Sequence, residues 1–204
     1  MPRTSNTEAR RAQITGALLA VIARHGYDKA TVQAIAAQAG LAPGLIHYHF
    51  GNKQEILVSL MDAMARAAHQ RYLAVLGDAT DPMQRLRAYL HARLALGDGA
   101  APDIVAAWVM IGAEAVRQPE VRAVYQRMVA DELGLLTTVL ADCLRARLRD
   151  DRTASTLAAG LAALIEGAYQ LSSAAADVMP RGYAADAAIA YAELAIAAAP
   201  ARPR

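Results

Sequence analysis

Apolar residues recur at helical spacing along almost the whole chain, and short polar or Gly/Pro clusters interrupt them. Ile14, Leu18, Val21 and Ile22 put one apolar stripe on a predicted helix over 7–25, which Gly26 ends. Val32, Ile35, Ala36 and Ala39 do the same for a helix over 32–39, with Thr31 as its N-cap and Gly40 as its stop. Pro43 suits the first position of a third helix, over 43–49. Asn52 caps a fourth, over 53–76, whose register is carried by Ile56, Leu57, Leu60, Met61 and Met64. Asp81-Pro82 opens a helix over 82–96, ended by Gly97-Asp98-Gly99; further helices are predicted over 102–117, 120–149, 154–177 and 183–198. The tail 200–204 is expected to fray. The fold class is all-α, with about nine helices: β-branched runs bounded by hairpin turns are absent.

The densest signal lies at 31–53. Two short helices joined by a tight glycine turn, followed at once by a capped helix, form a helix-turn-helix, whose second helix normally enters the major groove. His47, Tyr48 and His49 lie on or just after that helix. His47 would meet base edges, since a neutral imidazole is both donor and acceptor; Tyr48 and His49 would donate to phosphates. Alternatively one of the three packs inside, as Phe50 is expected to do. Ala42, Pro43, Gly44 and Leu45 are small or apolar, and suit close approach to the groove and contact with a thymine methyl. Thr31 and Lys53 open helices whose free N–H groups attract phosphate, with Lys53 adding a mobile charge or merely a solvated one. Gln33, in the first turn of the second helix, is a further candidate for the backbone.

This run resembles the DNA-binding domain of the TetR family of transcriptional repressors. The residues that carry the likeness are Thr31, Ala39-Gly40-Leu41, Gly44, Ile46, His47-Tyr48-His49-Phe50, Asn52-Lys53 and Glu55-Ile56-Leu57. Members often place a hydroxyl at the positions of Ala42 and Leu45; Ala42 removes the usual cap of the third helix, at about 1 kcal/mol. The C-terminal half is more similar to the choline- and betaine-linked branch than to the tetracycline-binding one, through Ala107-Trp108, Arg117-Gln118-Pro119 and 160–167. The resemblance implies a helix-turn-helix domain over 1–52, joined by a long helix to a ligand-binding and dimerisation bundle over 53–204. It also implies a homodimer on palindromic double-stranded operator DNA, released when a small-molecule inducer shifts the fourth helix.

Composition agrees where it speaks. Residues 1–60 carry six basic and three acidic side chains, whereas the remaining 144 sum to −1, so the positive end is the helix-turn-helix end. Lys53 is one of two lysines beside 19 arginines. One cysteine, Cys143, admits no internal disulfide, and with no signal peptide or membrane-length apolar run the expected location is cytoplasmic.

For the inducer, expected to be hydrophobic or cationic, Trp108, Ile111, Glu114 and Tyr125 are candidates, since an indole face with a carboxylate holds a cation. Core packing of Trp108 is the alternative. Glu166, Tyr169 and Gln170 form a second group; Glu166 either lines a pocket or pairs with an arginine across the dimer. Leu157, Leu161, Leu164, Leu171, Ile189 and Leu194 exceed what one chain needs for a core. The family builds its dimer from these two helices, although they could also pack within the chain. No Glu-x-x-His pair, phosphate loop, zinc spacing or nucleophile elbow occurs, so no enzyme, metal or cofactor is expected. The alternative function is a helical small-molecule-binding protein of this fold without operator binding.

Overall fold

Capping chemistry sets the N-terminal helices. The computed structural model of the chain describes residues 3–95 and 102–202. Helix α1 (Arg3–His25) is followed by α2 (Val32–Ala39) and α3 (Pro43–His49). Thr31 Oγ1 accepts from the N–H of Ala34 at 3.1 Å and caps α2. Gly40 closes it in the left-handed conformation, φ +66°, which costs glycine nothing. No side chain caps α3 at Ala42, as the sequence implied. Asn52 Oδ1 accepts from the N–H of Glu55 at 2.9 Å to start α4 (Lys53–Leu76), and Glu55 in return accepts from the N–H of Gly51 at 3.0 Å.

Helices α5 (Pro82–Leu94), α6 (Pro102–Ala115), α7 (Pro119–Ala146), α8 (Ala154–Ala174) and α9 (Tyr183–Ala198) follow, with a 3₁₀ turn at Asp151–Thr153. Asp81 caps α5 through the N–H of Gln84, 2.9 Å away. The predicted stop of α5 at Gly97-Asp98-Gly99 lies outside the described residues. Among the described residues there is no strand, and no helix is long and apolar enough to cross a membrane.

Packing divides the chain into two compact units, and both α4 and α7 contribute to each. The first comprises residues up to Arg66 with Asp103–Arg127; the second comprises Ala67–Pro102 with Met128–Arg204. In the first, Ile14, Leu18 and Ile22 of α1 are fully buried with Ile35, Ile46, Phe50, Ile56 and Leu57, which makes a core from four helices. In the second, Leu86 and Leu90 of α5 are buried, as are Leu136, Leu140 and Leu144 of α7 and Leu161 and Ile165 of α8. Alanines 158, 184, 188 and 192 bring α8 and α9 close; a Cβ on Gly160 would lie 2.9 Å from the hydroxyl of Tyr191.

Several boundaries differ from expectation: α1 begins at Arg3 and not at 7, and α5 stops at Leu94 and not at 96. Helix α8 stops at Ala174 and not at 177, and α6 at Ala115 and not at 117. Helix α7 stops at Ala146 because Leu148 turns left-handed, φ +57°, and the N–H of Arg149 reaches back to the carbonyl of Leu144 at 2.9 Å. Nothing local signals this, since the residue is not glycine. The C-terminal segment holds the turn. The N–H of Asp150 donates to the carbonyl of Pro200 at 2.8 Å, and the N–H of Arg202 to the carbonyl of Leu148 at 3.0 Å. The tail is therefore tied through Arg202, and the expected fraying of 200–202 is corrected. Leu148 leaves 74% of its surface in solvent, so its side chain contributes little packing to offset its backbone strain. Leu148→Gly should raise stability by roughly 0.5–1 kcal/mol in urea denaturation; a loss would show that the left-handed turn is not strained.

Candidate nucleic-acid interface

Helix α3 has seven residues; Ile46 on it and Phe50, the extended residue that follows it, are buried. The remainder is turned out. Ala42, Pro43, Gly44, Leu45 and His47 are exposed, and Tyr48 is 79% exposed. His49 is half-buried and meets the Tyr48 ring edge-on, with centroids 5.0 Å apart. Thr31 and Gln33 are exposed at the start of α2. The expected core role falls to Phe50 and Ile46, leaving His47 and Tyr48 outside.

Two α1 side chains that sequence reasoning passed over fix this face. Arg11 donates from Nη1 to the carbonyl of His49, a free carbonyl at the end of α3, and its guanidinium stacks 3.9 Å above the Phe50 ring centroid. Gln13 donates from Nε2 to the carbonyl of Ala39 at 2.8 Å, which ties the end of α2 to α1. Arg11 stands three residues before Ile14 and seven before Leu18, in register with the buried stripe; that was the available signal.

Lys53 was expected to carry a mobile charge, and this is corrected. Its Nζ donates to the carbonyl of Tyr27 at 3.2 Å and lies 4.0 Å from the centre of the Tyr27 ring. Burial lowers the ammonium's pKa, while Asp28, Glu114 and Glu120 act in the opposite direction. Burial, then the fields of Glu120 and Glu114, push the Tyr27 hydroxyl up to about 12. Lys53 is thus a half-buried charge held at the first turn of α4.

The candidate ligand residues fall in both units. In the first, Trp108 and Ile111 are buried, and the Trp108 and Tyr125 rings meet at 5.1 Å, tilted by 40°. The buried Glu114 already has partners: it accepts from Gln118 Nε2 at 2.8 Å and from Arg117 Nη2 at 3.1 Å. Its carboxylate holds the turn between α6 and α7.

In the second unit, Tyr169 is buried, Glu166 is half-buried and Gln170 is exposed. Tyr169 donates its hydroxyl to the carbonyl of Arg93 at 3.0 Å, and the Arg93 guanidinium lies 5.6 Å from the centre of its ring. Arg93 Nη2 pairs with Glu132 Oε2 at 2.7 Å, and the Tyr89 hydroxyl donates to Glu132 Oε1 at 2.6 Å. Burial works against the Arg93 charge, but Tyr169, Glu132, Tyr89 and Glu166 more than compensate and hold it protonated. Burial is also the main cause that raises the Tyr89 and Tyr169 hydroxyls. Arg93 Nε is a buried donor without a partner. Tyr89, Arg93 and Glu132 were not anticipated. Their signal was a charged or phenolic side chain in the apolar register of Leu86, Leu90 and Leu136.

Of the leucines expected to exceed one chain's needs, Leu161 is buried within the chain and is corrected to a core residue. Leu157, Leu164 and Ile189 are half-buried, Leu171 is exposed, and Leu194 leaves 72% of its surface in solvent. Cys143 is buried, and burial pushes its thiol up to about 11, away from thiolate chemistry.

Two family models match the chain: bacterial regulatory proteins of the tetR family over residues 14–60, and the C-terminal part of BetI-type transcriptional repressors over residues 82–197. The transcriptional regulator BetI of Agrobacterium fabrum is 32% identical over 169 residues, 83% of this chain and 79% of that protein. Its counterpart in Rhizobium meliloti is 31% identical over 174 residues, 83% of this chain and 80% of that one. Among solved structures, a Rhodococcus transcriptional regulator superposes with TM-score 0.77 at 21% identity, over 95% of this chain and 99% of its own. A Saccharomonospora viridis protein in complex with choline superposes with TM-score 0.73 at 24% identity, over 94% and 97%. These superpositions are a likeness of fold.

Breaking the part-buried Arg93–Glu132 pair is the test of the second unit's network. Glu132→Gln removes the carboxylate paired with Arg93 and should cost roughly 3 kcal/mol, measured by urea denaturation. A cost within experimental error would mean that water already solvates Arg93.

Proposed function

The chain belongs to the TetR family of bacterial regulatory proteins, with a C-terminal half of the BetI type, and from that premise we propose a homodimeric repressor that leaves a palindromic operator when a small organic cation binds. By role, residues 1–52 read DNA and residues 53–204 sense the ligand and dimerise, in the cytoplasm where the DNA is. The observation that carries the DNA half of this reading is α3 itself, with Ile46 and Phe50 inside and His47 and Tyr48 outside.

In this reading His47 meets base edges in the major groove, with Pro43, Gly44 and Leu45 giving close approach beside Ala42. Tyr48 and His49 donate to phosphates, and Thr31, Gln33 and Lys53 hold the backbone at the starts of α2 and α4. Two such heads, related by a two-fold axis, require half-sites about 34–36 Å apart or a multiple of that spacing. The exposed Leu171 and Leu194, with the half-buried Leu157, Leu164 and Ile189, supply the apolar surface for the partner chain.

The inducer is a quaternary ammonium compound of the class that choline represents, supported by the choline-bound relative of the same fold. The chemistry for it is an aromatic face beside a carboxylate. Trp108, Ile111 and Tyr125 with Glu114 have this character in the first unit, as Tyr169 and Gln170 with Glu166 do in the second. A coupling of about 1–3 kcal/mol between ligand and DNA is enough for regulation.

Selection of bound fragments from the protein's own genome, at about 0.15 M salt, should return a palindromic site whose affinity falls when choline is added. Recovery of only non-specific background would end the repressor reading, and a site insensitive to choline would end the inducer assignment. His47→Ala should change base preference in a randomised-site selection. Lys53→Gln should weaken binding to all sequences alike, with a salt slope shallower by about 0.9. Reversed behaviour of the two variants would exchange their roles.

A further inference from the structure

Beside the face assigned to DNA, α1, the following loop and α2 enclose an open cleft of about 320 Å³. It is lined by Val21, Ala34 and Ala37 together with Arg24, His25, Lys29 and Gln38. No carboxylate lines it. Asp28, on the same loop, is not part of the lining, and its field acts on Lys53. Arg24, His25 and Lys29 are exposed, and among the described residues no ion pair engages them.

Arg24 and His25 also sit favourably at the negative end of the α1 dipole, which would explain those two as helix-ending residues. It explains neither Lys29 nor the opening between the helices. The lining is tied to the start of α2: Thr31 donates its N–H to the carbonyl of Lys29 at 2.9 Å, and the N–H of Ala34, in the lining, donates to Thr31 Oγ1 at 3.1 Å. A polyanion lying against the α2 N-terminus therefore needs little further length to reach the cleft.

We propose that Arg24, His25 and Lys29 form a second phosphate platform that takes the sugar–phosphate backbone flanking the half-site. This rests on the reading that the head binds duplex DNA, and it extends the footprint past the bases facing α3. The platform adds affinity without sequence preference, because phosphate contacts position the protein and do not read bases. Gln38 contributes a neutral donor, and the small side chains of Ala34 and Ala37 in the lining leave room for the phosphate oxygens to approach.

The test compares the parent protein with Arg24→Gln/Lys29→Gln on two duplexes, the selected site with long flanks and the same site trimmed at the half-site edges. The logarithm of affinity is followed against the logarithm of salt concentration. The parent should show the steeper slope on the flanked duplex. The double variant should lose about 0.9 of slope for each phosphate contact removed, and it should match the parent on the trimmed one. Lys29→Arg, which keeps the charge, should keep the slope, and unchanged melting temperatures exclude misfolding. Equal slopes for parent and double variant on the flanked duplex overturn the platform while the DNA reading stands. Failure of the parent to bind any duplex overturns both. If inorganic phosphate shifts the His25 ring resonances while the DNA slopes are equal, the cleft is a small-anion site and the proposal fails.

Discussion

The exposed face proposed for DNA depends on the burial of two side chains, Ile46 on the seven-residue α3 and Phe50 in the extended position just past its end. A helix this short is not stable by itself, so packing must hold it in place. Burial of two such side chains is worth roughly 3–6 kcal/mol, a large part of what a small domain has in total. Once they are inside, the helical period leaves His47, Tyr48 and the Pro43-Gly44-Leu45 edge outside. Arg11 and Gln13 then fasten the carbonyl ends of α3 and α2 to α1, which restricts how the exposed face can tilt.

The elements most legible in the sequence were those whose ends are made locally. Helices α2, α3 and α4 begin and end where Thr31, Gly40, Pro43 and Asn52 indicate, because caps, left-handed turns and first-turn prolines act within four residues. The α7 terminus was not legible. Leu148 occupies a conformation that leucine seldom adopts, and what holds it there is the chain more than fifty residues later, through Pro200 and Arg202. Separation in sequence likewise hid the Arg93–Glu132 pair, whose members lie 39 residues apart. Periodicity marks both as inward-facing, but it does not say which charge meets which.

The charged candidates show a related pattern. Lys53 and Glu114 were singled out for what each would offer to a ligand or to DNA, and in the structure each is already held by neighbours in its own unit. For Lys53 the Tyr27 carbonyl and ring fix the stem and orient the ammonium, so in the proposed phosphate role less side-chain entropy would be lost when an anion arrives. For Glu114 the partners Arg117 and Gln118 make the carboxylate a brace for the α6–α7 turn. Glu132 and Arg93 form the corresponding closed network in the second unit, where one guanidinium N–H is left without an acceptor. Such a network is costly to leave half-satisfied.

The central claim is that two copies of the α3 face read one side of a duplex together. The most direct measurement is the affinity of the purified protein for its selected operator, compared with the same duplex carrying about 5 extra base pairs between the half-sites, roughly half a helical turn. The account predicts that the insertion turns one half-site to the opposite side of the helix and lowers affinity to the non-specific level. Undiminished binding to the lengthened duplex would contradict it, because the two heads would then not be acting as a two-fold pair.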